Sequence, residues 1–140
     1  MDNRFKKCLD ESKLVKSAPE PDLMRKEIDG ATSDLESAGI SLEKGDYKWA
    51  TVQAYYSMFH SAKALVLSKG YREKSHMCLL VAFGELFADS LPAKHYERFR
   101  DCMNLRHDAD YGLIYSEGSA REVVAWAGEF LEEAGKMLGI

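Results

Sequence analysis

Apolar side chains recur along most of the chain at the three- and four-residue spacing of one helical face. The clearest run spans residues 49–69, whose apolar positions are Tyr55, Met58, Phe59, Ala62, Leu65 and Val66. Residues 24–42 form a second seam, with Met24, Ile28, Ala31, Leu35, Ala38 and Leu42 three or four apart. No stretch shows the sustained alternation typical of strands. The pattern predicts an all-α fold.

Helix-breaking and capping residues divide this pattern into separate helices. Prolines, glycines and an Asp46 cap predict a leading helix within residues 1–17, helices over about 21–43 and 49–69, a shorter one from Ser75 and another over about 92–111. Ser119 and Glu122 read as the capping box of a final helix. The short linkers favour antiparallel neighbours. We predict an up-and-down four-helix bundle with an additional short N-terminal helix, residues 1–140 being a single domain.

Composition describes an ordinary globular chain of 140 residues, 46% apolar and 30% charged. The net charge of −4 disfavours non-specific adhesion to nucleic acid, although it permits a local basic groove. A hydrophobic leader and an apolar run near the length of a membrane span are both absent from the sequence. We therefore expect a cytoplasmic protein without a membrane contact.

The cysteine and histidine patterns indicate neither disulfides nor a metal site. Cys8, Cys78 and Cys102 are odd in number and far apart, which suits free thiols in a reducing compartment. Cys102 is expected to be a structural thiol, and His95 to lie on the surface. The four histidines show no metal-ligand spacing, so no metal and no cofactor is expected.

A polar row runs beside the apolar face of the 49–69 helix. Gln53, Tyr56, His60 and Lys63 share this row, which brings together a phenol, an imidazole and an ammonium group. Tyr56, His60 and Lys63 are candidate ligand-binding residues, with His60 and Lys63 placed to contact a nucleotide phosphate. Alternatively, His60 hydrogen-bonds within the bundle and Lys63 extends to water. The residues leave both interpretations open.

Two further rows run along residues 98–112. One holds Phe99, Met103, Arg106 and Asp110, and the other holds Arg100, Asn104, His107 and Tyr111. Arg106 and Asp110 have the spacing of a helical ion pair. A fixed guanidinium beside an imidazole suits phosphate contact or RNA cleavage. The alternative is that the arginine and aspartate tie the helix end to its neighbours.

A small cationic and aromatic group follows the 49–69 helix. It consists of Tyr71, Arg72, Lys74 and His76. Such residues can contact single-stranded nucleic acid. We expect instead that residues 71–74 form a solvated loop.

Two of these stretches together resemble the HEPN domain family (higher eukaryotes and prokaryotes nucleotide-binding). The resemblance rests on AYYSMFHSAKALVLSKGYREKSH at 54–76 and NLRHDADYG at 104–112. It implies a helical bundle that commonly dimerises, in a prokaryotic toxin–antitoxin or defence module with a minimal nucleotidyltransferase partner. Active members are metal-independent endoribonucleases that use Arg-x(4–6)-His at the dimer groove.

The sequence departs from this active pattern. When the sequence is aligned with the family pattern through residues 109–112, Arg106 occupies the position of the family arginine. Tyr111 then occupies the position of the family histidine. Tyrosine, with an ordinary pKa near 10, is a poor proton shuttle at neutral pH. A second registration pairs Arg100 with His107. Arg106, His107, Arg100 and Tyr111 are thus the catalytic candidates, and Asp110 is a ligand-binding candidate.

Three hypotheses follow. The first is a dimeric HEPN-type module that binds nucleotide, RNA or a nucleotidyltransferase partner, with weak or no catalysis of its own. The second is a metal-independent endoribonuclease that uses Arg100 or Arg106 with His107. The third is a purely structural interaction domain.

Overall fold

A computed structural model of the chain describes residues 3–109 and 115–140, and for residues 106–109 it describes the backbone alone. Within those ranges lie six helices: α1 (Asn3–Asp10), α2 (Pro21–Glu43), α3 (Tyr47–Ser68), α4 (His76–Leu86), α5 (Ala93–Ala109) and α6 (Glu117–Leu138). Two short strands, β1 (Leu14–Lys16) and β2 (Tyr71–Glu73), pair antiparallel. The all-α fold class and the short N-terminal helix predicted from the sequence are confirmed.

Helix α3 is the central element of the fold. It packs against α2, α4, α5, α6 and β2. Thirteen of its 22 residues are buried, so α3 lacks the single buried stripe of an ordinary surface helix. Every candidate residue on α3 therefore lies between neighbouring elements.

Helices α2 and α3 approach closely through small side chains. Ala31 and Ala38 of α2 and Ala54 and Ser57 of α3 are all fully buried. The Ser57 hydroxyl donates to the Ala31 carbonyl oxygen at 2.9 Å, which satisfies a polar group inside the contact.

An aromatic cluster joins α3 to the second half of the chain. The Phe83, Phe99 and Phe130 rings of α4, α5 and α6 lie 5.2 to 6.3 Å apart. The Tyr55 ring of α3 stacks on Phe99 at 6.0 Å. Contacts of this kind contribute beyond the burial of their area, and they set the position of α5 against α3.

Two of the predicted helix caps are confirmed and one is wrong. The Asp46 carboxylate accepts from the Trp49 backbone N–H, and the Ser75 hydroxyl accepts from Cys78. Helix α6 is capped by Ser116, whose hydroxyl accepts from the Ser119 N–H at 3.0 Å. The predicted cap at Ser119 therefore lies inside the first turn, because the helix begins three residues earlier than its capping-box pattern suggests.

The small sheet replaces a predicted loop. Leu14, Val15 and Lys16 pair with Glu73, Arg72 and Tyr71, so residues 71–74 are not simply a solvated loop and residues 1–17 are not one helix. Strands of three residues are too short to show a recognisable alternation. Leu14 is almost completely buried, which fixes the strand against the core.

A disulfide joins Cys8 of α1 to Cys78 of α4, with the Cα atoms 5.8 Å apart. The expectation of three free thiols is wrong for these two residues, since a sequence separation of 70 hides their proximity. Consequently, the cysteines no longer indicate a reducing compartment. Cys102 is a buried thiol, and burial raises its pKa to about 12, as expected of a structural rather than a nucleophilic cysteine.

His95 is buried, contrary to the predicted surface position. Its side chain is 2% exposed and stacks on the Phe130 ring at 5.4 Å, because the first turn of α5 packs against α6. Neither ring nitrogen has a hydrogen-bond partner among the described residues. Burial, with the neighbouring Lys94 and Arg98 charges, lowers the pKa of His95.

Reduction of the Cys8–Cys78 disulfide is expected to lower the free energy of unfolding by about 2–4 kcal/mol, because the bond restricts a long loop of the unfolded chain. Urea unfolding with and without dithiothreitol measures this change, and the double variant Cys8→Ser/Cys78→Ser should match the reduced protein. Cys102→Ala, which keeps the disulfide, should respond to reductant as the wild type does. Equal stability with and without reductant would contradict the prediction.

His95 should make the protein less stable in mild acid. Because the pKa of His95 is lower in the folded state, the unfolded chain binds more protons than the folded chain below about pH 6.5. The free energy of unfolding therefore decreases as the pH is lowered. Between pH 7 and pH 5 the wild type should lose about 1 kcal/mol more than His95→Leu in urea unfolding. Parallel pH curves for the two proteins would refute this. His76→Gln, which removes an exposed histidine, is the control.

Candidate functional site

The polar row of α3 meets carboxylates from α2. His60 Nδ1 lies 2.6 Å from Glu27 Oε2, and its Nε2 lies 3.5 Å from Asp34 Oδ2. When His60 is protonated, both ring nitrogens face an acceptor. The predicted hydrogen bond of His60 within the bundle is therefore present.

Lys63 links the helices to the sheet. Its Nζ lies 3.6 Å from Glu27 Oε1 and 3.7 Å from Glu73 Oε1. The Glu73 side chain is only 9% exposed, and its Oε1 has no hydrogen-bond partner among the described residues. The positive charge of Lys63 therefore offsets the cost of burying this carboxylate. Lys63 thus does not simply extend into water.

We call this group the acidic network: Glu27, Asp34, His60, Lys63 and Glu73. Its three carboxylates outnumber its two bases. A phosphate group placed here would meet more negative than positive charge, and it would have to displace existing ion pairs. The geometry thus favours an internal role for His60 and Lys63 over phosphate binding.

The acidic network shifts the pKa values of its members. The hydrogen bond that His60 donates to Glu27 raises the pKa of His60, although burial opposes the shift. Burial raises the pKa of Asp34 and of Glu73. Burial would also raise that of Glu27, but His60 and Lys63 together bring the pKa of this carboxyl below its ordinary value.

Tyr56, the third ligand-binding candidate on α3, makes aromatic contacts. Its ring contacts Tyr55 at 5.2 Å and Phe59 at 6.3 Å, both edge-on. Tyr56 is partly buried and packs against the core. It precedes His60 by one helical turn on the same helix.

Helix α5 carries an exposed polar face. The Arg100 guanidinium lies 5.9 Å from the Tyr96 ring and donates to Asp101 at 3.2 Å. Its side chain is 46% exposed, and Asn104, one turn further, is exposed too. Surface pairs such as Arg100–Asp101 are weak, so a phosphate could compete for this arginine.

Arg98 shows how an arginine of the same helix can be purely structural. Its guanidinium lies 5.3 Å from the Trp126 ring and donates to Glu129 of α6. Only a quarter of its side chain is exposed. Arg98 therefore ties α5 to α6, whereas Arg100 is directed to solvent.

The remaining candidates lie at the end of α5. Arg106 and His107 are on its last turns, where the backbone is helical and the side chains are not described. Asp110 and Tyr111 lie outside the described residues. The predicted ion pair between Arg106 and Asp110 and the pairing of Arg100 with His107 therefore stay predictions.

His76 occupies a position that the sequence did not single out by itself. It is the first residue of α4, and its Nδ1 lies 3.4 Å from the Tyr55 hydroxyl. Its ring lies 4.5 Å from the Phe59 ring, yet the residue is exposed. The only sequence signal was its membership of the cationic and aromatic group at residues 71–76.

Other kinds of site receive little support from the part of the chain that the structure describes. That part has no group of three histidines, cysteines or acids that could hold a metal ion. A cavity of about 280 Å³ lies between α4, α5 and Arg4, and its walls are mostly apolar. None of the described helices is long and apolar enough to cross a membrane.

The ion pair between His60 and Glu27 should stabilise the fold most below about pH 6.5. Because folding raises the pKa of His60, its contribution is fully present below the unfolded value and is lost as pH rises through the folded pKa. His60→Gln should therefore cost about 1 kcal/mol near pH 6 and less near pH 9. Urea unfolding across this range measures it, beside Glu27→Gln, which removes the same pair. A cost that does not shrink with rising pH would contradict the prediction.

Comparisons with known proteins agree with this architecture. A family model of the HEPN domain matches residues 24–137. A Methanocaldococcus jannaschii protein named "Putative toxin MJ0605" is 34% identical over 114 residues, which span 79% of this chain and 85% of that protein. From the same organism, "Putative toxin MJ0142" is 32% identical over 63% of this chain and 61% of its own length.

A third relative comes from Gloeobacter violaceus. It is named "UPF0332 protein glr0978" and is 29% identical over 116 residues, spanning 79% of this chain and 92% of its own. The family match extends from the start of α2 to the end of α6 and includes both stretches that carried the resemblance. The chain therefore belongs to the HEPN domain family.

Proposed function

We propose that this chain is the RNA-binding module of a toxin system, with weak or no catalysis of its own. The binding surface is the polar face of α5 that begins at Arg100 and Asn104 and, by helical spacing, includes position 107. Family membership and the toxin names of two relatives support the role in a toxin system.

One observation carries the choice of surface. Arg100 is exposed and its pairing with Asp101 is weak, whereas His60 and Lys63 lie within the acidic network. An RNA phosphate needs an accessible guanidinium that is not surrounded by carboxylates. Of the candidates with described side chains, Arg100 meets this requirement best.

We also propose that the module acts as a homodimer beside a partner. HEPN domains commonly dimerise, and a twofold axis would double the number of cations offered to one RNA. A minimal nucleotidyltransferase is the partner that the family resemblance implies. A single nucleotide also carries a phosphate group, and we propose it as a smaller ligand for the same α5 face.

A second candidate function is a metal-independent endoribonuclease. The toxin names of the two relatives favour it, because cleavage of RNA is one way for a small protein to be toxic. In this case Arg106 or Arg100 would stabilise the charge on the reacting phosphate, and His107 would transfer protons. If Tyr111 holds the family histidine position, this activity is weak.

Binding is tested with a fluorescently labelled single-stranded RNA pool in EDTA, followed by anisotropy. Arg100→Ala should weaken binding about fivefold, or ~1 kcal/mol, through loss of a charged hydrogen bond. It should also reduce the dependence of log K on log salt by about 0.7. The control is Arg25→Ala, which removes from α2 an arginine that is 65% exposed, against 46% for Arg100. Equal losses in both variants would mean that only overall charge matters.

Cleavage is measured on the same samples by gel electrophoresis. The first proposal predicts that the wild type binds RNA and leaves it intact. Cleavage that His107→Ala and Arg106→Ala both abolish, while binding is retained, would establish the endoribonuclease instead. Absence of both binding and cleavage by the folded protein would refute both and favour a structural interaction domain.

A further inference from the structure

The imidazole of His76 contacts buried aromatic residues on the side that faces the core. The Tyr55 hydroxyl lies 3.4 Å from Nδ1, and the Phe59 ring lies 4.5 Å from the imidazole centroid. Tyr55 is 1% exposed, whereas His76 is exposed. The fixed edge of this imidazole therefore faces the core, and its other edge is accessible.

Helices α4 and α5 bring His76 to the same end of the bundle as the polar face of α5. They run antiparallel: α5 begins against the end of α4, where a Cβ on Gly84 would lie 2.6 Å from the Tyr96 ring. Further along, Phe99 stacks on the same Tyr55 ring that holds His76.

Beyond Phe99, α5 continues towards the start of α3. There the Tyr47 hydroxyl contacts Glu117, the first residue of α6. In the antiparallel pair of α4 and α5, the turns of α5 that follow Phe99 thus lie near the start of α4. These turns begin with Arg100 and Asn104. Because an α-helix rises 1.5 Å per residue, Asn104 is about one turn beyond Phe99.

We propose that His76 is an RNA-contacting residue that extends the α5 surface across to α4. This inference rests on the proposed RNA-binding function. In this proposal the Tyr55 hydroxyl donates to Nδ1, which selects the tautomer with the proton on Nε2. The Nε2–H then donates to a phosphodiester oxygen of the RNA strand that Arg100 also contacts.

This role suits the charge of the chain. With a net charge of −4, the chain offers RNA no overall surplus of positive charge. A neutral, pre-oriented donor adds a phosphate contact without relying on net positive charge. Tyr55 acts as a positioning residue, since it fixes the tautomer of His76 and does not itself reach the surface.

The test uses the full chain and a 2′-fluoro single-stranded RNA oligonucleotide, which cannot be cleaved through its 2′-hydroxyl. Histidine ring signals are followed by long-range ¹H–¹⁵N NMR, and His76→Gln assigns those of His76. On addition of RNA, the His76 signals should shift. His76→Gln should weaken binding about threefold, and Met77→Gln, which changes the exposed neighbour, should bind as the wild type does.

Tyr55→Phe separates positioning from a merely structural role. It should leave the fold intact, weaken RNA binding by less than His76→Gln does, and change the ¹⁵N shifts of His76 towards a mixture of both tautomers. Unchanged ¹⁵N shifts in Tyr55→Phe would overturn the positioning role of Tyr55.

The outcomes distinguish this inference from the proposed function. If RNA binds in an Arg100-dependent way while the His76 signals stay in place and His76→Gln binds normally, the His76 inference is overturned and the RNA-binding function stands. If the wild type binds no RNA, the proposed function is overturned and the role of His76 with it. A shift of the His76 signals together with weaker binding by His76→Gln supports both.

Discussion

The burial of α3 on several sides is the constraint on which the rest of the structure depends. Small residues allow α2 to approach one side closely, and an aromatic cluster fixes α5 on another. His60 and Lys63 of α3 then lie where α3 meets α2 and β2. In such places a charge needs a partner, and Glu27 and Glu73 supply partners for His60 and Lys63.

The helices could be predicted from the sequence because their signals are local. A seam of apolar residues and the Asp46 and Ser75 caps each lie within a few residues of the helix that they define. The features that were missed are long-range. The disulfide joins residues 70 apart, and the β1–β2 pair depends on chain segments of only three residues. Likewise, the burial of His95 follows from packing against α6, which its own surroundings in the sequence do not reveal.

The candidate site was predictable in its location more than in its chemistry. The row on α3 does contain an unusual group of polar residues, as its spacing suggested. Its electrostatic character, however, depends on Glu27, Asp34 and Glu73, which come from α2 and β2 and fall in no common motif with His60 and Lys63. The residues of α3 left a phosphate site and an internal role equally open, and three carboxylates from elsewhere in the chain favour the internal role.

The net negative charge of the chain also limits how RNA would bind. Each phosphate contact to a single strand contributes only about 0.7 to the salt dependence of log K, so one or two arginines give weak electrostatic affinity. Further affinity has to come from oriented hydrogen-bond donors, from stacking on aromatic rings, or from a second copy of the surface. The donor at His76 is a contribution of the first kind, because the buried Phe59 and Tyr55 side chains hold its ring in place. A single strand, whose bases are unpaired, exploits such a surface better than a duplex does.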